Sequence, residues 1–155
     1  MKKYRIYVDT SVFVGAEDDE FCVASRRFFE RVQNGHFVVL ISDLVLDELA
    51  GAPQAVRDTL KKLPQAAVQI VEIRDEAKAL AQAYVTAGAL GKASKADATH
   101  VAIATVVGAD LIVSWNFKHI VNFDRIKKFN GVNSLHGYAA IDIRSPLEVA
   151  YGEQD

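Results

Sequence analysis

The chain has 155 residues, half of them hydrophobic and a quarter charged, with 18 Lys and Arg against 20 Asp and Glu for a formal net charge of −2. That length suits one domain with a full core, and the near-balanced charge excludes a protein-wide basic field for nucleic acid, so any such contact must be a local patch. The single cysteine, Cys22, excludes an internal disulfide, no His/Cys spacing fits zinc, and no apolar run nears the roughly 18 residues of a membrane span.

Ile6, Tyr7 and Val8 form a continuous β-prone run, as in a strand buried on both faces. Lys2 and Lys3 precede it, but Asp9 breaks the apolar stretch too early for a signal peptide. With one cysteine and no membrane span, the expectation is a cytoplasmic protein. The strand ends abruptly in Asp9-Thr10-Ser11. In an open parallel sheet ligands bind beyond the carboxyl ends of the strands. An Asp there, followed by two hydroxyls, is placed to hold a cation or a phosphate, or simply to cap the next turn.

Val12 to Gly15 makes one helical turn, and the acids Glu17 to Glu20 lead into a helix from about Cys22 to Asn34. Phe37 to Ile41 reads as a second buried strand; Ser42 then caps a helix to Gly51, and Pro53 opens another to about Leu63. Ala67 to Val71 gives a third strand and Asp75 to Ala87 a helix stopped by Gly88. Ser94 to Val107 is the next helix and Leu111 to Ser114 the fourth strand. Phe123 to Phe129 reads as a short helix ended by Asn130-Gly131, and Ala140 to Ile143 as a fifth strand. Ser145-Pro146-Leu147-Glu148 has the residues of a capping box. Strands alternate with helices and no repeat or linker interrupts them. The pattern predicts a single α/β domain with a mainly parallel sheet and right-handed crossovers.

Three acids stand out by position. Glu48 shares a helix face with Leu44, Val45, Leu49 and Ala52, within the apolar stripe or at its edge, whereas Asp43 and Asp47 read as solvated. A buried carboxylate needs a partner, a proton or a metal, and a salt bridge to an Arg is the plain alternative. Asp97 lies in the first turn of a helix of small apolar residues, where it completes a capping box with Ser94 or faces a cleft. His100, one turn on, reads as a packed or solvated side chain. Ser114 and Asn116 end the fourth strand as Asp9 ends the first; Asp110 precedes that strand and reads as structural. Trp115 reads as packed.

Val8-Asp9-Thr10-Ser11, Glu48 after Ser42, Asp97 opening the Lys95 to Ala104 helix, and Ser114-Trp115-Asn116 together resemble the PIN domain, the nuclease fold of VapC-type toxins from toxin–antitoxin pairs. The resemblance covers essentially the whole chain. It implies a three-layer PIN-like fold of about five strands, a Mg²⁺ or Mn²⁺ site, and hydrolysis of RNA phosphodiesters. By the match, Asp9, Glu48 and Asp97 would be the catalytic and metal-site acids, with Ser11, Ser114 and Asn116 as supporting polar groups. The family usually offers a further Asp where this chain has Asn116. It also implies a homodimer and a cognate antitoxin. RNA contacts would come from Lys92, Lys95, Lys118, Lys127 and Lys128. The hard cations prefer oxygen donors, and nucleases often use two ions about 3.5–4 Å apart. The alternative is an inactive PIN-like module that binds RNA or a protein. A receiver-type phosphoacceptor lacks its paired acids here, a haloacid-dehalogenase-type phosphatase lacks an Asp at position 11, and a dinucleotide enzyme lacks G-x-G-x-x-G.

Overall fold

The computed structural model of the chain describes residues 3–91 and 93–152. Five strands, β1 (Tyr4–Val8), β2 (Phe37–Ser42), β3 (Val68–Val71), β4 (Leu111–Val113) and β5 (Asp142–Arg144), form one sheet in the order β3-β2-β1-β4-β5. Every pairing is parallel, as a chain of alternating strands and helices requires. Ile6, Tyr7 and Val8 have no exposed surface. Successive strand residues point to opposite faces, so both faces of the central strand are covered and the architecture has three layers.

The helices are α1 (Thr10–Gly15), α2 (Cys22–Gln33), α3 (Asp43–Ala50), α4 (Gln54–Lys61), α5 (Asp75–Thr86), α6 (Lys95–Val106), α7 (Phe123–Leu135) and α8 (Pro146–Val149). They pack in two groups, α1 with α2, α3 and α4 with α8 on α2, and α5 with α6 and α7. α6 is the apolar centre of the second group, with Ala98 and every residue from His100 to Thr105 buried.

Element bounds differ from the sequence reading most clearly at α4, α7 and β5. Pro53 sits at the N-cap of α4 rather than inside its first turn, and the helix stops at Lys61. α7 runs through Asn130-Gly131 to Leu135. Asn130 is used differently: its amide donates to the Ile141 carbonyl at 3.0 Å and accepts the Ile141 N–H at 2.8 Å. Gly137, at φ +80°, is the glycine beyond the helix end. The fifth strand is Asp142–Arg144 rather than Ala140–Ile143, because that is where it pairs with Leu111 to Val113.

Sheet order reverses at β1, with β2 and β3 to one side and β4 and β5 to the other. The carboxyl ends of β1 and β4 therefore flank the switch point, where open α/β sheets bind ligands.

Candidate active site

The backbone N–H of Asp9 donates to the Val113 carbonyl at 3.0 Å, so β1 and β4 are joined at their carboxyl ends. Asp9 is 6% exposed. Its Oδ2 accepts from Ser11 Oγ at 2.7 Å and Ser114 Oγ at 2.8 Å. Those hydroxyls in turn accept the backbone N–H groups of Trp115 (2.9 Å) and Asn116 (3.0 Å). One buried carboxylate thus fixes the turn after β1 and the loop after β4 together, and its own burial is offset by two hydroxyl donors.

The other oxygen of Asp9 faces His100. His100 Nε2 lies 2.7 Å from Glu48 Oε1 and 3.4 Å from Asp9 Oδ1. Its Nδ1 is 2.7 Å from the Tyr7 hydroxyl, which is 2.8 Å from Ser42 Oγ. Ser42 also caps α3 by accepting the Val45 N–H. Burial pushes the His100 imidazole toward the neutral form, but the hydrogen bond to Glu48 and the charges of Asp9, Glu48 and Asp97 outweigh it, so its pKa is raised. The hydrogen bond from His100 holds the Glu48 carboxyl below its usual range against the opposing pull of burial. Burial raises the Tyr7 pKa, so its hydroxyl stays protonated and can bridge Ser42 and His100. Thr10 Oγ1 completes the set by donating to Glu48 Oε1 at 3.0 Å.

Asp97 uses its two carboxylate oxygens for different partners. It completes the capping box of α6, with its Oδ2 accepting the Ser94 N–H at 3.0 Å and its N–H donating to Ser94 Oγ. Its Oδ1 accepts from Asn116 Nδ2 at 3.1 Å. Asn116 Oδ1 accepts the His119 N–H, so the amide is oriented at both ends.

The structure therefore joins Asp9, Ser11, Glu48, Asp97, Ser114 and Asn116 in one connected cluster. Glu48 takes the second of its two expected positions, the edge of the apolar stripe. Its side chain is 38% exposed, at the rim of the stripe, and its partner is a histidine rather than an arginine. His100 and Tyr7 are the residues that sequence reasoning missed. The available signal was His100 itself, a titratable ring in an otherwise apolar buried helix, which needs partners. Asp110 lies at the opposite end of the sheet, where its Oδ2 accepts the Arg5 N–H at 2.8 Å. Trp115 is packed, as expected, with its indole N–H on Ser25 Oγ at 2.8 Å. Lys95 opens α6, Lys118 lies in the loop after β4, and Lys127 and Lys128 lie on α7, all exposed. Lys92 lies outside the described residues.

The donor chemistry fits a hard divalent cation, since the cluster offers three carboxylates with hydroxyl and amide oxygens beside them. As they stand, no three His, Cys, Asp or Glu side chains among the described residues are spaced to share an ion. His100 and Thr10 occupy Glu48 Oε1, while Ser94 and Asn116 occupy the two oxygens of Asp97. An ion bound there would have to exchange these hydrogen bonds for ion contacts.

Residues 6–125 match the family model of the PIN domain. A search of curated proteins finds no match. The fold is similar to that of VapC20 from Mycobacterium tuberculosis, a toxin that cleaves the sarcin–ricin loop (18% identity, TM-score 0.58, covering 88% of this chain and 98% of that one). It is also similar to VapBC2 from Rickettsia felis bound to a DNA fragment from the promoter (12% identity, TM-score 0.59, 91% and 98%). A third similar structure is DNA-bound VapBC from Salmonella typhimurium (14% identity, TM-score 0.58, 92% and 98%).

Proposed function

The chain belongs to the PIN domain family, and from that premise we propose that it is a Mg²⁺- or Mn²⁺-dependent endoribonuclease, the toxin of a toxin–antitoxin pair. The observation that carries this reading is the hydrogen-bonded cluster at the switch point, in which His100 links Asp9 to Glu48 and Asn116 links Asp97 to Ser114. Asp9, Glu48 and Asp97 would hold the ion. When bound, it would supply an activated water and offset negative charge on the attacking and leaving oxygens of the phosphodiester. Ser11 and Ser114 fix Asp9, and His100 with Thr10 fixes Glu48. Lys118, exposed beside Asn116, is the nearest lysine in sequence to the cluster's fourth-strand side and would meet a backbone phosphate of the RNA. Lys95, Lys127 and Lys128 would extend that contact.

The similarity to VapBC complexes supports a cognate antitoxin as partner; on the family resemblance, we add that this antitoxin covers the site and that the chain is a homodimer in the cytoplasm. Among the described residues no helix is long and apolar enough to cross a membrane.

The test is incubation with single-stranded RNA and Mg²⁺ or Mn²⁺. Cleavage should appear, and EDTA and Asp9→Asn should each abolish it. Cleavage that survives both overturns the metal mechanism. One observation favours a second reading, an RNA-binding module without activity: where the family usually has an acid, the Asn116 amide donates to Asp97 instead of adding charge. RNA binding without cleavage in either metal would select that reading.

A further inference from the structure

Phe117 directly follows Asn116, is 45% exposed and has no part in the acid cluster. Its ring meets Trp115 edge-on, with centroids 6.0 Å apart and planes at 70°. Trp115 is buried and stacks on Phe21 at 4.2 Å and 24°. Three rings thus form a ladder whose inner member is locked and whose outer member is open. A scattered exposed Phe needs no explanation, but this one lies one residue from the cluster and one from Lys118. The groove it lines continues over Val23, Leu147 and Tyr151, and Glu20 is the one charged residue among those described along it. That acid repels phosphates, so a strand laid across this surface is expected to put bases in the groove and its backbone toward Lys118.

We propose that Phe117 is a stacking platform for an unpaired base of the RNA, at a nucleotide beside the phosphodiester that the acid cluster would face. The proposal rests on the ribonuclease reading. Every base has a π-face, so such a platform selects single strands over duplexes without reading sequence. Buried Trp115, stacked on half-buried Phe21, gives the outer ring a rigid backing, which lowers the ordering cost of binding.

Trp115 is the only tryptophan in the chain and reports on its own neighbour. The full chain in EDTA is titrated with a labelled oligoadenylate and with an abasic ribose-phosphate strand of the same length. Oligoadenylate should change Trp115 fluorescence and bind on the order of tenfold more tightly than the abasic strand. Phe117→Ala should remove that difference and leave abasic binding unchanged, and Phe117→Tyr should restore it. Equal oligoadenylate affinity in wild type and Phe117→Ala overturns the platform; if Mg²⁺-dependent cleavage persists, the ribonuclease reading survives that loss. No binding and no cleavage of any strand overturns both. A fluorescence change that follows protein concentration without RNA, and is lost in Phe117→Ala, assigns the groove to a second copy of the chain and overturns the platform.

Discussion

Asn116 sets how much negative charge the cleft carries. Its amide N–H₂ faces Asp97 Oδ1 at 3.1 Å, so Asn116→Asp replaces a hydrogen bond with two acids in contact. Without metal the change should cost roughly 1–3 kcal/mol, the range for a lost partner at a part-buried acceptor, with protonation relieving part of the repulsion. A divalent ion that binds only the folded state should then recover more stability in the variant than in wild type. Thermal melts in EDTA and in Mn²⁺ check both signs; equal Mn²⁺ shifts in the two proteins would place position 116 outside the ion's reach. Tyr7→Phe tests the other flank. Tyr7 is fully buried, so the ring stays, but Ser42 and His100 lose their common hydroxyl. The loss should cost about 1–3 kcal/mol in urea denaturation, because His100 Nδ1 is left buried without a partner. Asp9 stands out in the sequence as a lone charge at the end of an apolar strand, whereas Glu48 shares α3 with Asp43 and Asp47 and is distinguished only by its helix face. The role of His100 was not legible, because its partners lie 52 residues away at Glu48 and 93 away at Tyr7, a pairing set by the sheet and not by local spacing.

Helix ends divide into those written in local code and those decided by tertiary contacts. Ser42, Ser94 and Ser145 stand at helix starts, as the sequence predicts, and capping-box residues are in place at the latter two. Ser94→Ala should therefore lower stability by about 1 kcal/mol, the usual cost of losing a cap, measured as a drop in Tm. Because Asp97 belongs to the same box, the variant should also weaken metal binding, which calorimetric Mn²⁺ titration reads. Asn130-Gly131 shows the other case. As a sequence signal it stops a helix, yet Asn130 ties α7 to Ile141 and is itself approached by Asn133 Nδ2 at 3.1 Å. Its turn propensity is overridden by a contact 11 residues on, and the misplaced start of β5 is the same error seen from its other end. Gly15 was legible only as a helix end. A Cβ there would stand 2.6 Å from Trp115 Nε1 and 2.8 Å from Ser25 Oγ, so its small size serves the packing of Trp115.

Alternation of strands and helices was enough to read the parallel sheet, because parallel strands need crossovers; of the three acids only Asp9 follows a strand end directly, while Glu48 and Asp97 lie on helices. Which helices pack together was not readable, since several have apolar residues on more than one side. The core also carries buried phenols that set an alkaline limit on the fold. Burial pushes the Tyr84 pKa up to about 12 from 10.0, against the opposing effect of its side-chain hydrogen bonding with Thr105 and Asn133, and Tyr7 moves in the same direction. A raised folded-state pKa means that the contribution is complete below pH 10 and is lost as pH rises through about 12. Urea midpoints should fall across that window, and Tyr84→Phe should fall less steeply, although it starts lower for want of the bond to Asn133. The strand order has a temporal consequence as well. Val8 pairs with Val113, and no two neighbouring strands are joined by a hairpin. The cluster of acids cannot assemble until β4 has been synthesised and has returned to β1, a slow kind of pairing for a chain to find. On the ribonuclease reading, a nascent chain that ends before Leu111 should be inactive, and in cell-free translation cleavage should lag the appearance of full-length product by the time that β1 and β4 take to meet.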